Sequence, residues 1–145
     1  MSDPYLVREA RLSDLDAILE IEEGSFSDPY PRGLLKAFLY HPGAYIVALS
    51  EEAVIGYAIG ILRRDQGHIV SLAVKKDCRR GGVGQKLMLE IIGRLRTVGA
   101  KSMRLEVRQS NSAAIELYKK LGFAEDEKVK EYYPDGETAI VMFLR

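Results

Sequence analysis

The chain of 145 residues contains no tryptophan, one cysteine and two histidines, and its 21 basic and 21 acidic side chains give no net charge. Cys78 cannot form a disulfide within the chain, which agrees with a reducing compartment. His41 and His68 are isolated, without a cysteine or carboxylate at the spacing of a metal site, so no metal is predicted. A balanced charge provides no basic field for nucleic acid or for an acidic membrane, and neither is predicted as a partner.

Long apolar runs are also missing. No segment approaches the roughly 20 apolar residues that a membrane-spanning helix needs. The first residues, MSDPYLVREA, carry an aspartate and a proline where a secretion signal would have a basic and then an apolar segment. We therefore expect a cytoplasmic protein, and the length favours a single domain over residues 1–145.

One stretch carries a strong local pattern: residues 70–89 read VSLAVKKDCRRGGVGQKLML. An apolar, β-branched run predicts a strand, and a helical pattern follows Gly81, Gly82 and Gly84. Glycines leave main-chain N–H groups uncovered, and the first N–H groups of a helix have no partner within it, so this loop suits a phosphate. The GxxxxGK[ST] loop is excluded, because neither Gly81 nor Gly82 is followed by Gly-Lys-Ser/Thr at that distance. The GxGxxG fingerprint is excluded, because Leu87 stands three residues after Gly84.

Apolar periodicity along the rest of the chain predicts further strands and helices. Strands are expected at residues 5–9, 44–49, 54–62, 68–74 and 102–108, from 123 onward and at 137–144, with helices after residue 13, around 34–39, at 82–98 and at 111–121. The order β α α β β β α β α β β predicts an α+β fold in three layers, α/β/α. Gly93 inside the third helix costs up to about 1 kcal/mol relative to alanine, so it is expected to permit close packing.

The motif R-x-x-G-x-G, formed by Arg79, Gly82 and Gly84 directly after a strand, resembles the acyl-CoA pyrophosphate loop of the GNAT superfamily of N-acetyltransferases. Three further segments resemble the branch of that superfamily that acetylates protein N-termini, which includes bacterial ribosomal-protein-alanine acetyltransferases and archaeal and eukaryotic N-terminal acetyltransferases. They are Leu105-Glu106-Val107-Arg108, then Asn111-x-x-Ala114-x-x-Leu117-Tyr118-x-x-x-Gly122-Phe123, and Tyr132-Tyr133-Pro134-x-Gly136-Glu137. The resemblance covers nearly the whole chain and implies a mixed central sheet of about seven strands with about four helices.

By this resemblance the chain transfers an acetyl group from acetyl-CoA to the N-terminal α-amine of proteins by direct attack. Glu106 stands where the branch has its general base, and Tyr118 where it has its general acid. The thioester is expected to lie along the strand before the glycine loop, with the Val74 N–H near its carbonyl oxygen. The residues that the resemblance assigns to acetyl-CoA are Leu72, Ala73, Val74, Arg79, Arg80, Gly81, Gly82, Val83, Gly84, Gln85, Asn111 and Tyr118, and those assigned to the acceptor peptide are Phe26, Tyr30, Tyr132 and Tyr133.

Three of these residues also have simpler explanations. Glu106 lies between Arg104 and Arg108 on one face of its strand, where a solvated ion pair is the alternative. Tyr118 lies on the apolar side of its helix, where a core tyrosine is the default. Asn111 is a candidate N-cap for the same helix.

Two alternatives to N-terminal acetylation stay open: a GNAT enzyme for a small amine or an internal lysine, and a non-catalytic acyl-CoA-binding sensor. An α-amine, with a reference pKa of about 8, loses its proton more easily near neutrality than a lysine at about 10.4, which favours N-termini. Cys78 beside two arginines is an alternative acyl-carrying nucleophile, although no histidine base is near it in sequence.

Two departures from the branch fall on the acceptor side. Thr138 stands where the branch usually has an aspartate, and Asp28-Pro29-Tyr30 replaces its more usual loops. These departures concern the choice of amine and leave the acetyl-CoA motifs intact. A ribosome or an auxiliary subunit stays open as a further partner.

Overall fold

The computed structural model describes residues 5–145, which form an α+β fold of seven strands and four helices in three layers. In chain order the elements are β1 (Leu6–Glu9), α1 (Leu15–Ser25), α2 (Arg32–Ala37), β2 (Gly43–Ser50), β3 (Ala53–Arg63), β4 (Gln66–Val74), α3 (Val83–Thr97), β5 (Ser102–Arg108), α4 (Ser112–Lys120), β6 (Ala124–Val129) and β7 (Ala139–Leu144). The predicted order of strands and helices is confirmed. Within residues 5–145, none of the helices is both long and apolar enough to cross a bilayer.

The strands form one mixed sheet in the order β1-β2-β3-β4-β5-β7-β6. All neighbours are antiparallel except β4 and β5, which run parallel and pair only through residues 66–68 and 102–104 in the described chain. Further along, β4 stays paired with β3 as far as Val74, and β5 stays paired with β7 as far as Arg108. The two parallel strands therefore separate toward their carboxyl ends and leave an opening, called the β4–β5 gap below.

A β-bulge lies in β4 at the point where this gap begins. In the register with β3, Val70 is an extra residue between Ile69 and Ser71. Val70 and Ser71 consequently share one face of the sheet: Val70 packs against the core under α1 and α2, and Ser71 hydrogen-bonds to Glu22 of α1. Because a bulge bends its strand, its position agrees with the divergence of β4 from β5.

Apolar side chains cover both faces of the sheet. Leu87, Ile91 and Leu95 are spaced four residues apart on α3 and are completely buried against one face. Ile18 of α1 and Leu35 of α2 are completely buried against the opposite face. Burial of one such side chain contributes about 1.5–3 kcal/mol, so the two helical layers hold the divided sheet in place.

The expectation that Gly93 permits close packing is wrong. Gly93 is exposed, and no atom lies within 4 Å of the position that a Cβ would take. Each helical residue is turned by about 100° from the one before it, so Gly93 faces away from Leu95, which points into the core. The close approach depends on strand glycines instead: a Cβ on Gly60 would meet Leu95 at 2.6 Å, and one on Gly67 would meet Met103 at 2.7 Å.

Candidate active site

The loop between β4 and α3 turns at two residues with left-handed backbone. Arg80 has φ of +73° and Gly82 has φ of +79°, and α3 begins at Val83. Within residues 5–145 no side chain caps this end of α3, so its first N–H groups remain available. A Cβ on Gly81 or on Gly84 would have its nearest neighbours only at 3.9 and 3.8 Å, which leaves the main chain open. This loop therefore has the properties of a site for a negatively charged group.

The side chain of Arg79 points away from the glycine loop, toward β4 and α1. Its Nε donates a hydrogen bond to the Val74 carbonyl oxygen at 2.9 Å, and its Nη2 donates to Ser25 Oγ at 3.1 Å. The guanidinium thus joins the glycine loop to the end of β4 and to the last residue of α1. Contact of Arg79 with a pyrophosphate stays a prediction, and its side chain is already engaged in this structural role.

The main chain at the end of β4 faces the β4–β5 gap. The Lys75 N–H donates to Ile55 O of β3 at 2.7 Å. Because N–H groups alternate in direction along a strand, the Val74 N–H points away from β3 and toward the gap. Leu72 has the same orientation, two residues earlier in the regular part of the strand. The segment of residues 72–74, predicted to lie along the thioester, therefore presents main-chain groups to the gap.

Glu106 lies on β5 beyond the last residue that pairs with β4. Its Oε1 is 2.7 Å from His68 Nε2, and Arg104 Nε donates to its Oε2 at 2.8 Å. The side chain is only 9% exposed. Burial acts to raise the pKa of Glu106, but the hydrogen bond and charge of His68, together with Arg104, outweigh it and hold the pKa below its ordinary value. Glu106 is therefore a nearly buried, ionised carboxylate with two partners.

His68 is not isolated, contrary to expectation, since it contacts Glu106. The ion pair considered for Glu106 is present with Arg104, whereas Arg108 binds other carboxylates. No sequence signal indicates the contact between His68 and Glu106, because it depends on the register of two strands that are 38 positions apart. In residues 5–145 no three His, Cys, Asp or Glu side chains are grouped in a way that could hold a metal ion.

Tyr118 lies on α4 and packs with the core on the α3 side of the sheet. Its ring is half-buried and lies 6.0 Å from the Phe123 ring, and burial raises the pKa of its phenol. Within the described chain its hydroxyl has no hydrogen-bond partner. Glu106 faces the other side of the sheet, since it alternates with the buried Leu105 and Val107. The two predicted catalytic residues thus lie on opposite faces.

Asn111 is the N-cap of α4. Its Oδ1 accepts a hydrogen bond from the Ala114 N–H at 3.2 Å, as the N-cap alternative predicted. This bond uses the acceptor of the side-chain amide and leaves its two donors for other partners. A contact of Asn111 with the cofactor arm stays a prediction that the cap geometry allows.

Three tyrosines predicted to bind the acceptor gather around Glu106. Burial raises the pKa of Tyr30, Tyr132 and Tyr133, and the negative charge of Glu106 is a further cause at all three. The rings of Tyr132 and Tyr133 meet edge to face with centroids 4.9 Å apart. The α1–α2 loop and the β6–β7 loop therefore form two walls beside the carboxylate. Phe26, at the start of the first loop, is 37% exposed.

Glu22 anchors one of these walls to the sheet. It is 2% exposed, and its Oε2 accepts a hydrogen bond from the Tyr30 N–H at 2.9 Å. Its Oε1 accepts from the hydroxyls of Tyr57 and Ser71, which belong to β3 and β4. These bonds satisfy the buried carboxylate and fix the loop that carries Tyr30.

The sequence does indicate that Glu22 is a buried carboxylate with polar partners. This residue stands four positions after Ile18 and seven after Leu15, in the apolar stripe of α1. A charged residue at such a position is buried only when polar partners reach it. The identity of the partners, however, depends on how the helix lies on the sheet.

Comparison with known proteins agrees with this geometry. The sequence profile of the acetyltransferase (GNAT) family matches residues 15–123. The N-alpha-acetyltransferase of Sulfurisphaera tokodaii is 38% identical over 152 residues, covering 95% of this chain and 91% of the relative. The structure of Ard1 from Thermoplasma volcanium matches with a TM-score of 0.92 at 30% identity, covering 97% of each chain. The ribosomal-protein-S18-alanine N-acetyltransferase from Escherichia coli matches with a TM-score of 0.90 at 31% identity, covering 97% of this chain and 92% of that one.

The family profile spans well over half of the 145 residues, and relatives above 30% identity cover almost all of them. The open glycine loop is the structural counterpart of the R-x-x-G-x-G motif that suggested the family. The chain belongs to the GNAT family and is an N-acetyltransferase that uses acetyl-CoA.

Proposed function

We propose that the chain transfers the acetyl group of acetyl-CoA to the N-terminal α-amine of proteins. The observation that carries the proposal is the Glu106 carboxylate, held by His68 and Arg104 between two tyrosine walls beside the β4–β5 gap. A wall of tyrosines accommodates a peptide backbone, because each ring combines apolar area with a hydroxyl. Relatives named N-alpha-acetyltransferase and ribosomal-protein-S18-alanine N-acetyltransferase support this choice of amine.

Acetyl-CoA is bound mainly by main-chain groups in this proposal. The N–H groups of residues 80–85 bind the pyrophosphate, assisted by the positive end of the α3 dipole. Residues 72–74 align the pantetheine arm and the thioester. The Val74 N–H donates to the thioester carbonyl oxygen and stabilises the negative charge that develops there during attack. Asn111 contributes a side-chain donor to the cofactor arm.

Glu106 acts as the general base. The ammonium group of the acceptor must lose a proton, and Glu106 accepts it directly or through a water. The lowered pKa of Glu106 makes the carboxylate a weak base by itself. His68 Nε2, 2.7 Å away, and Arg104 hold this carboxylate in position for the proton transfer.

Tyr118 acts as the general acid. The neutral amine nitrogen forms a bond to the carbonyl carbon, the carbon–sulfur bond breaks, and CoA leaves as a thiolate that takes the phenolic proton. The second nitrogen proton is released as the amide forms and restores the Tyr118 phenol, directly or through water. The reference pKa values of a thiol, about 8.5, and of a phenol, about 10, lie close together, and burial makes Tyr118 a weaker acid than this reference. Because burial raises the pKa of Tyr118, the phenol stays protonated throughout the neutral range, as an acid must.

A panel of short peptides tests the choice of amine. The peptides share one sequence that begins with alanine and differ in a free or blocked α-amine and in the presence of one internal lysine. Release of CoA is expected only with a free α-amine. Acetylation of the blocked peptide through its lysine would instead support the internal-lysine alternative. Binding of acetyl-CoA without CoA release from any amine would support the sensor alternative.

A further inference from the structure

Arg108, the last residue of β5, contacts both loops that carry the predicted acceptor-binding tyrosines. Its Nη2 donates to Asp28 Oδ1 at 2.7 Å, in the loop between α1 and α2. Its Nη1 donates to Asp135 Oδ2 at 2.9 Å and to Glu137 Oε1 at 2.9 Å, in the loop between β6 and β7. The guanidinium also lies 4.1 Å from the centroid of the Tyr133 ring. One side chain thus links two loops that are far apart in sequence.

The chemistry of this contact requires an arginine. Three carboxylates face one guanidinium, so without the cation the acidic groups of the two loops would repel each other. Hydrogen bonds from Ser110 and then Arg108 lower the pKa of Glu137, so this carboxylate keeps its charge below its ordinary pH range. The planar fork of arginine donates in two directions and stacks on an aromatic ring at once, whereas the ammonium of lysine is a single point charge.

The contact lies beside the proposed base. Arg108 and Glu106 are two residues apart on the same face of β5, and the charge of Glu106 reaches the Tyr133 phenol. The aspartate that Arg108 binds in the other loop stands two residues before Tyr30. Within the described chain, the Arg108 side chain makes no hydrogen bond or ion pair with residues 72–85, where the cofactor is expected. Its contacts are therefore confined to the acceptor side of the site.

We propose that Arg108 is a positioning residue for the acceptor peptide, which holds the α1–α2 and β6–β7 loops at a fixed separation on either side of Glu106. It thereby affects the affinity for the peptide. It does not affect the rate of acetyl transfer or the affinity for acetyl-CoA. This inference rests on the proposed function, because it names a residue that shapes the same acceptor site.

Steady-state kinetics of Arg108→Met and Arg108→Lys test the role in peptide binding. The KM for an α-amine peptide should rise about tenfold in both variants, the scale expected for losing a network of partly exposed ion pairs. The kcat and the KM for acetyl-CoA should stay within about twofold. Arg94→Met is the matched control, since Arg94 pairs with Glu90 at 3.4 Å on α3, and it should leave all three constants unchanged.

Hydrogen–deuterium exchange of the free enzyme tests the link itself. Amides in residues 25–31 and 130–138 should exchange faster in both Arg108 variants, while those of α3 stay unchanged. Asp28→Asn removes the strongest link to the first loop only. It should therefore accelerate exchange in residues 25–31 and leave residues 130–138 as they are.

An unchanged peptide KM in Arg108→Met, or a lower kcat with a normal KM, would overturn the positioning role. Unchanged exchange in both loops would overturn the link between them. Should Arg108→Met fail to fold, Arg108→Lys and Asp28→Asn decide the question with the same measurements. If the wild-type enzyme acetylates no free α-amine, the proposed function fails, and the exchange experiment still decides whether Arg108 holds the loops together.

Discussion

The cofactor half and the acceptor half of the site are built in different ways. The predicted cofactor half consists of main-chain groups within residues 72–85, where glycines and a helix end leave N–H groups open. The proposed acceptor half consists of side chains from α1, β4, β5 and two loops, including Glu22, His68 and Glu106. A main-chain site is encoded by one continuous stretch of sequence, whereas a side-chain site depends on how distant elements pack.

Of the substitutions that test this difference between the two halves, loss of the proposed base should have the largest effect, a fall in kcat. Glu106→Gln keeps the size of the side chain and removes its basicity, so kcat for an α-amine peptide should fall about 10²–10⁴-fold. The KM for acetyl-CoA should change by less than about threefold if the two halves are separate. Glu90→Gln is the control, because Glu90 also pairs with an arginine but lies on α3, away from the proposed acceptor site. A drop in kcat below about fivefold would exclude Glu106 as the base.

Tyr118→Phe should have the next largest effect, because it removes only the proposed acid. The kcat should fall about 10–100-fold at saturating acetyl-CoA, with little change in its KM. Tyr45→Phe is the control, since the Tyr45 hydroxyl is buried and has no hydrogen-bond partner in the described chain. Neither change removes an observed hydrogen bond, so Tm should not fall in either variant. A higher acetyl-CoA KM with a normal kcat would assign Tyr118 to binding.

Substitution of a loop glycine tests the cofactor half. Gly82 and Gly99 both have positive φ, +79° and +116°, so alanine at either position should cost about 1–2 kcal/mol of stability. Only Gly82→Ala adds a methyl group beside the open N–H groups, so only this variant should raise the KM for acetyl-CoA, by about threefold. Urea unfolding and steady-state kinetics separate the two effects. Equal changes of KM in both variants would show that the loop has no special role.

The smallest expected effect concerns stability at acid pH. Burial opposes the shift, but His68 and Arg104 hold the pKa of Glu106 below its ordinary value in the folded protein. Such a carboxylate stabilises the fold above the pKa of the unfolded state, about 4.3, and this contribution is lost as the pH falls through the folded-state pKa. Below pH about 4.3 the free energy of unfolding should therefore fall less steeply in Glu106→Gln than in the wild-type protein. The total difference over the acid range should be less than about 1 kcal/mol. Urea titrations at several pH values measure this slope, and identical slopes would contradict the coupling.

The parts of the molecule that the sequence could predict are those with local causes. Apolar side chains that recur every two residues in strands and every three to four residues in helices predict the order of these elements. Leu87, Ile91 and Leu95 have the burial that their spacing predicts. The glycine loop was also recognisable, because glycines and a helix start are adjacent in sequence. The Asn111 cap belongs to the same class, since it joins residues three positions apart.

The parts that could not be predicted depend on register and packing. His68 meets Glu106 because two parallel strands pair at their first residues only, and no local pattern determines that register. The prediction for Gly93 is wrong because the helical face on which it lies decides its environment, and the close approach belongs to Gly60 and Gly67. The choice of amine depends on the acceptor half and is accordingly the part of the function that needs the peptide experiments.

The β4–β5 gap has a consequence for the size of the acceptor. Tyr118 lies on the α3 side of the sheet and Glu106 on the α1 side, so on the proposed function the two substrates approach from opposite sides and meet where the strands part. In that arrangement neither substrate would have to displace the other, and only the end of the acceptor chain would enter. The accessibility of its first few residues, and not its molecular mass, would then decide whether a polypeptide is acetylated.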